Sequence, residues 1–196
     1  MEITLDHVQY IYHPGTVNEI TAVQDVSLQI GSREFIALAG STGSGKSTLI
    51  QLISGLKLPS TGRIAYDGKH VGHDKKELHK IRCRVGLVFQ YPEYQLFDET
   101  VLKDVSFGPK NKGLAAEEAL EVAKSSLQAV GLPESTWQKS PFDLSGGEKR
   151  RAAIAGILAM EPEVLILDEP TAGLDPAGKT EILDLIRDYQ QEKQMT

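Results

Sequence analysis

Gly40-Ser41-Thr42-Gly43-Ser44-Gly45-Lys46-Ser47 has the spacing G-x-x-x-x-G-K-[ST], which is a phosphate cradle when a strand precedes it and a helix follows. Glycines let the backbone curl so that successive N–H groups point inward at phosphate oxygens, and the following helix adds its positive dipole end. Residues 40–48, ending at Thr48, are therefore candidate nucleotide ligands. Lys46 is expected to reach the terminal phosphates and the Ser47 hydroxyl to ligate Mg²⁺.

A second constellation is Val164-Leu165-Ile166-Leu167-Asp168-Glu169, an apolar strand ending in two carboxylates. Open α/β sheets place ligand-binding groups at such strand ends. Asp168 is expected to hold Mg²⁺ through water and Glu169 to polarise a water in line with the last phosphate. An isolated Asp-Glu at a strand end more often caps the next turn. Paired with the phosphate cradle, it implies a P-loop nucleotide hydrolase. A third constellation, Leu144-Ser145-Gly146-Gly147-Glu148, opens a helix with Ser and two Gly. Its N–H groups and hydroxyl make a second anion site, more than one chain needs for one nucleotide.

These groups need a scaffold. Residues 2–12 and 20–30 alternate like paired strands on either side of His13-Pro14-Gly15, predicting an antiparallel N-terminal sheet. Phe35 to Ala39 is a continuous apolar run and is expected as a buried parallel strand feeding a helix from Lys46 to Ser54. Further strands are expected at 63–66 and 85–89, with a helix-compatible stretch at 75–81 between them. Residues 91–146 change character at Tyr91-Pro92 and read as a helical insertion, with a helix over 115–130. Helices are then expected over 147–160 and 176–192, on either side of the strand at 164–167. The pattern is an α/β P-loop fold with a RecA-like parallel-sheet core, an antiparallel β subdomain and an inserted helical subdomain.

Composition excludes several classes. Twenty-one basic against 27 acidic residues give a net charge of −6, which argues against nucleic acid as a partner. Lys149-Arg150-Arg151 reads as a solvated helix face, and His70 and His73 as loop surface rather than metal ligands. The single cysteine, Cys83, cannot form an internal disulfide. The apolar run from Ala152 to Met160 stops after nine residues, short of the roughly 18 that span a membrane. The N-terminus lacks the basic flank and apolar stretch of a signal peptide. The expected location is peripheral, on the cytoplasmic face of a membrane, held there by partners.

With the signature segment included, the chain resembles the ABC ATPase family over essentially its whole length. In that family the signature loop of one subunit closes over the terminal phosphate held by the other. The resemblance implies ATP and Mg²⁺ as cofactors. It assigns Gln90 to the Q-loop, where it contacts Mg²⁺ and supports catalysis beside Glu169 and Lys46. It assigns Ala172-Gly173-Leu174-Asp175 to the D-loop, Tyr12 to stacking on adenine, and Ser145, Gly146, Gly147 and Glu148 to the partner's nucleotide. Glu148 replaces the family's usual glutamine, a change expected to leave the Ser and Gly donors intact while adding a negative charge. The family's switch histidine follows a further strand, whereas His7, His13, His70, His73 and His79 all precede the acidic pair. These 196 residues are accordingly read as a C-terminally truncated single domain.

Phe89-Gln90-Tyr91-Pro92-Glu93-Tyr94-Gln95-Leu96-Phe97, with Thr100-Val101 and residues 104–109, is similar to the ATPases of energy-coupling-factor transporters, in particular the second of two paralogues. That similarity implies uptake of vitamins or of cobalt or nickel ions. The implied partners are a paralogous ATPase in a heterodimer, with a homodimer as the alternative, a transmembrane coupling protein, and a membrane subunit that binds the substrate. Two other readings share the motifs. A soluble ABC ATPase should carry inserted arms or a second cassette, and a nucleotide-binding module without hydrolysis should lack Lys46 or Glu169.

Overall fold

Strand pairing in the N-terminal half follows from alternation. In the computed structural model, which describes residues 1–196, β1 (Ile3–Tyr12) pairs antiparallel with β2 (Ile20–Ile30) and with β3 (Thr61–Tyr66). The two-residue β4 (Lys69–His70) completes the order β2-β1-β3-β4. Ile3, Leu5 and Val8 are buried on one face of β1. The step from Leu5 to Val8 breaks strict alternation, and the register with β2 shifts there. His7 and Asp25 take positive φ at this bulge, and His7 Nδ1 lies 2.7 Å from Asp25 Oδ1. That carboxylate raises the His7 pKa above its ordinary value, first through the hydrogen bond and then through its charge.

Helix α1 (Lys46–Ile53) buries Leu49, Ile50, Leu52 and Ile53. The Tyr66 hydroxyl donates to the carbonyl of Ile53 at 2.9 Å, tying the C-terminal end of α1 to β3. Helix α2 (Lys75–Arg84) starts at Asp74, whose carboxylate accepts from the N–H groups of Lys76 and Glu77. These elements, with residues 194–196, form one compact unit, and residues 86–193 form a second.

The second unit carries β5 (Val85–Val88) beside β6 (Val164–Leu167), the parallel-sheet core. The Asp168 N–H donates to the Val88 carbonyl at 2.9 Å. Between the two strands in sequence lie the short 3-10 turn Pro92–Gln95, α3 (Val101–Asn111), α4 (Ala116–Ala129) and α5 (Gly146–Leu158). Helix α6 (Pro176–Lys193) follows β6. The helical insertion is thus present. The sequence places one helix in this span, over 115–130, and α3 adds a second ahead of it. Pro109 sits in the last turn of α3, and Thr100 caps the first turn by accepting from the Lys103 N–H.

One expectation fails. Phe35 to Ala39 is not a strand, and Phe35, Ile36 and Leu38 are exposed. An apolar run becomes a buried strand only when neighbouring strands take up its backbone groups, and no strand of this structure pairs with it.

Candidate functional site

The phosphate cradle lies in the first unit, between residue 39 and α1. Gly43 and Gly45 take φ of +82° and +88°, a left-handed conformation that side chains resist. Gly45 has a second constraint, since a Cβ there would stand 2.1 Å from the Ala22 carbonyl oxygen on β2. Residues 40–44 are exposed. The Lys46 ammonium donates to the carbonyls of Gly40 at 2.8 Å and Ser41 at 2.9 Å. The lysine thus lies folded over its own loop and must trade these bonds to meet a phosphate. Ser47 is exposed, while Thr48 is buried and its hydroxyl lies 3.2 Å from the Tyr12 hydroxyl. Tyr12 is half-buried, edge-on to Tyr10 at 4.9 Å, and the Lys57 ammonium stands 4.8 Å from its ring centroid. Sequence reasoning missed Lys57, a cation over the very ring chosen for base stacking.

The acidic pair lies in the second unit. Alternation along β6 would point Asp168 and Glu169 in opposite directions, but Glu169 takes a left-handed φ of 49°. Its carboxylate accepts a hydrogen bond from the Gln90 amide at 2.8 Å. Two residues chosen from separate motifs, 79 positions apart, therefore meet. Asp168 is half-buried beside them. Asp175 caps α6, its carboxylate accepting from the Gly178 N–H at 2.8 Å. Hydroxyl, carboxylate and amide oxygens such as those of Ser47, Asp168 and Gln90 are the hard donors that suit Mg²⁺ held together with phosphate and water.

The signature segment caps α5, with a difference from expectation. Ser145 is the N-cap, and its N–H and hydroxyl both donate to one oxygen of Glu148, at 2.8 Å and 2.6 Å. The Glu148 N–H returns to the Ser145 hydroxyl at 3.4 Å, a capping box. The Ser145 donors are therefore engaged rather than open, because glutamate at this position supplies an anion of its own. These bonds hold the Glu148 carboxyl below the usual carboxylate range. Gly146 and Gly147 face open space and border a cleft of about 530 Å³ that Glu93, Arg150 and Asp175 also line.

The reading of Lys149-Arg150-Arg151 as a solvated face also needs correction. Lys149 and Arg151 are half-exposed, but Arg150 is 3% exposed. Its guanidinium pairs with both carboxylate oxygens of Glu93 at 3.2 Å and donates to the carbonyls of Pro170 at 3.3 Å and Ala172 at 2.9 Å. Sequence periodicity carried a signal for it, since Arg150 falls on the same helical face as Ile154, four residues on.

A glycine-rich phosphate cradle, a carboxylate pair at a strand end and a helix-capping Ser-Gly-Gly segment define an ABC-type ATP hydrolase. Residues 23–172 match the ABC transporter family model. The chain is 52% identical, over 195 residues, to the energy-coupling factor transporter ATP-binding protein EcfA2 of Caldanaerobacter subterraneus, covering 100% of this chain and 68% of that one. It is 53% identical to EcfA2 of Clostridium perfringens, covering 100% and 69%. The solved structure of cbiO1 from Clostridium perfringens, described as part of the ABC transporter complex cbiONQ, superposes with a TM-score of 0.86 at 42% identity, covering 99% of this chain and 75% of that one. A dimeric structure of the bacterial ABC transporter cassette MJ0796 gives a TM-score of 0.87 at 33% identity, covering 99% and 85%. The chain belongs to the ABC transporter ATPases, in the branch of energy-coupling-factor ATP-binding subunits.

Proposed function

We propose that this chain binds Mg²⁺-ATP as one half of a nucleotide-sandwiching dimer, and that closure and hydrolysis drive an importer for vitamins or for cobalt or nickel ions. Lys46 leaves the Gly40 and Ser41 carbonyls to hold the terminal phosphates, and the N–H groups of residues 40–48 cradle the rest. Ser47, Gln90 and Asp168 would serve as oxygen ligands for Mg²⁺, which when bound would supply positive charge against the phosphates. Glu169 accepts a proton from the attacking water; the new P–O bond forms in line with the bond that breaks, and ADP and phosphate leave. Tyr12 is the platform for adenine, reached once Lys57 yields that ring face. Ser145, Gly146 and Gly147 serve the partner subunit's nucleotide, and Asp175 lies in the loop facing that partner.

The observation that carries this reading is the hydrogen bond from Gln90 to Glu169 at 2.8 Å. It ties the carboxylate that activates water to the loop that ends in an exposed aromatic surface. On that surface Tyr94 is 85% exposed, and Phe97, 59% exposed, stacks edge-on with Phe107 at 5.0 Å. Such a patch suits a protein partner, and a transmembrane coupling protein is the occupant this reading assigns. A separate membrane subunit binds the substrate. The second ATPase is a paralogue, which makes a heterodimer. No helix of the structure is long and apolar enough to cross a membrane; on this reading the partners hold the subunit peripherally at the cytoplasmic face.

The test is to tag the natural protein in its own cells, solubilise membranes gently and identify what co-purifies. Recovery of a paralogous ATPase with small integral membrane proteins supports the importer. Recovery of the protein alone, in the soluble fraction, replaces it with an ABC ATPase not coupled to transport.

A further inference from the structure

Strands β5 and β6 end alike. Each runs into a residue in the left-handed conformation followed by proline: Tyr91, at φ 58° and ψ 59°, before Pro92, and Glu169, at φ 49°, before Pro170. Neither residue is glycine, and proline further restricts the residue before it. Backbone of this kind persists only where the surroundings over-determine it. The residues immediately before the two prolines bracket the chemistry, since Glu169 is one of them and Gln90 adjoins the other.

Arg150 is what the two turns share. Its Nε and Nη2 reach both oxygens of Glu93, one residue past Pro92, while Nη1 takes the carbonyls of Pro170 and Ala172. The side chains of Arg150 and Glu93 are 4% and 18% exposed. The planar fork of an arginine satisfies a carboxylate and two carbonyls at once, which an ammonium cannot do in the same geometry. Arg150 itself lies one helical turn into α5, five residues after Ser145. A single buried side chain thus joins the signature helix, the turn after Gln90 and the turn after Glu169.

We infer that Arg150 is a positioning residue: through Glu93, Pro170 and Ala172 it sets the two proline turns that aim Gln90 and Glu169, and fixes them to the helix that presents Ser145 to the partner's nucleotide. The inference rests on the ATPase reading above and adds to it a mechanical link. Movement at the aromatic surface beyond Gln90 is delivered to the signature helix and to the segment after Glu169 together. Arg150 acts through other residues, its guanidinium being taken up by Glu93 and by the Pro170 and Ala172 carbonyls.

The experiment uses the full-length subunit in its membrane complex and measures kcat and KM for ATP, alongside thermal melting and nucleotide binding by the purified subunit. Arg150→Met leaves the Glu93 charge buried and unpaired, so it lowers the melting temperature as well as kcat. Arg150→Met combined with Glu93→Met removes both charges, and replacing a buried pair by apolar side chains restores stability. The expected result is that the double variant melts like the parent and binds ATP with unchanged affinity, while its kcat stays at least about 10-fold down, as misplacement of reacting groups predicts. Arg150→Lys, which keeps the charge and loses the fork, should likewise fail to rescue kcat. A double variant that regains both stability and kcat would overturn the inference, reducing the pair to a structural one; so would parental kcat in Arg150→Met or in Arg150→Lys. Glu169→Gln in the same complex separates the two levels. If that change leaves turnover intact, the ATPase assignment of Glu169 fails, whatever Arg150 does.

Discussion

Glu148 shows how one residue alters a shared motif. Its carboxylate takes both donors of Ser145 and stays ionised below the ordinary carboxylate range because those bonds favour the charged form. The cap therefore stabilises α5 at neutral pH and is given up as pH falls through the depressed pKa. If a partner's phosphate uses Ser145, it must displace this internal anion. Replacing Glu148 with Gln keeps a capping acceptor and removes the charge. The ATP concentration for half-maximal dimer formation, read by sedimentation, should fall several-fold, since one unit charge near a phosphate at the surface is worth roughly 1 kcal/mol. An unchanged midpoint would mean Glu148 does not compete. At the β1–β2 bulge, the His7–Asp25 pair favours the folded strands below about pH 6.5 and loses that contribution as pH rises through the raised His7 pKa. Asp25→Asn should bring the His7 NMR titration midpoint down toward 6.5; no movement would show the raised value to have another cause. The sequence revealed the types of these residues but not their partners. Arg150 looked like its two basic neighbours because burial depends on Glu93, 57 positions away.

At the level of elements, the phosphate loop and α1 act together through Gly45. Its φ of +88° and the Ala22 carbonyl 2.1 Å from any added Cβ leave no room for alanine. Gly45→Ala should cost about 1–2 kcal/mol from backbone conformation alone, and more from the forced separation of loop and β2. Calorimetric titration of ATP should show binding lost even where circular dichroism shows the fold retained. Binding at parental affinity would contradict the loop's role. Elements with strong local signals were legible in the sequence: β1, β2, α4, α5 and α6 carry enough periodicity or capping that the observed ends lie within a few residues of those expected, although β1 breaks its alternation at the bulge. Two were not. Helix α3 buries Val101, Leu102, Val105 and Pro109, a helical spacing not singled out from sequence within the insertion. The run Phe35 to Ala39 has the composition of a core strand, but strand pairing is a non-local property that composition does not carry.

For the whole molecule, the functional groups fall into two compact units: the phosphate loop and Tyr12 in residues 1–85, and the acidic pair, Gln90 and the signature in residues 86–193. The motifs carry the proposed chemistry in their spacing, and the 2.8 Å contact between Gln90 and Glu169 is what the fold adds to them. The most direct measurement is made on the full-length subunit with Glu169 replaced by Gln, incubated with Mg²⁺-ATP and its partner ATPase, scoring dimer by sedimentation and phosphate release in the same samples. The account predicts a stable ATP-bound dimer with phosphate release at this chain's own site reduced by two or more orders of magnitude, as for loss of a general base. Hydrolysis at the parental rate, with no trapped dimer, would contradict it.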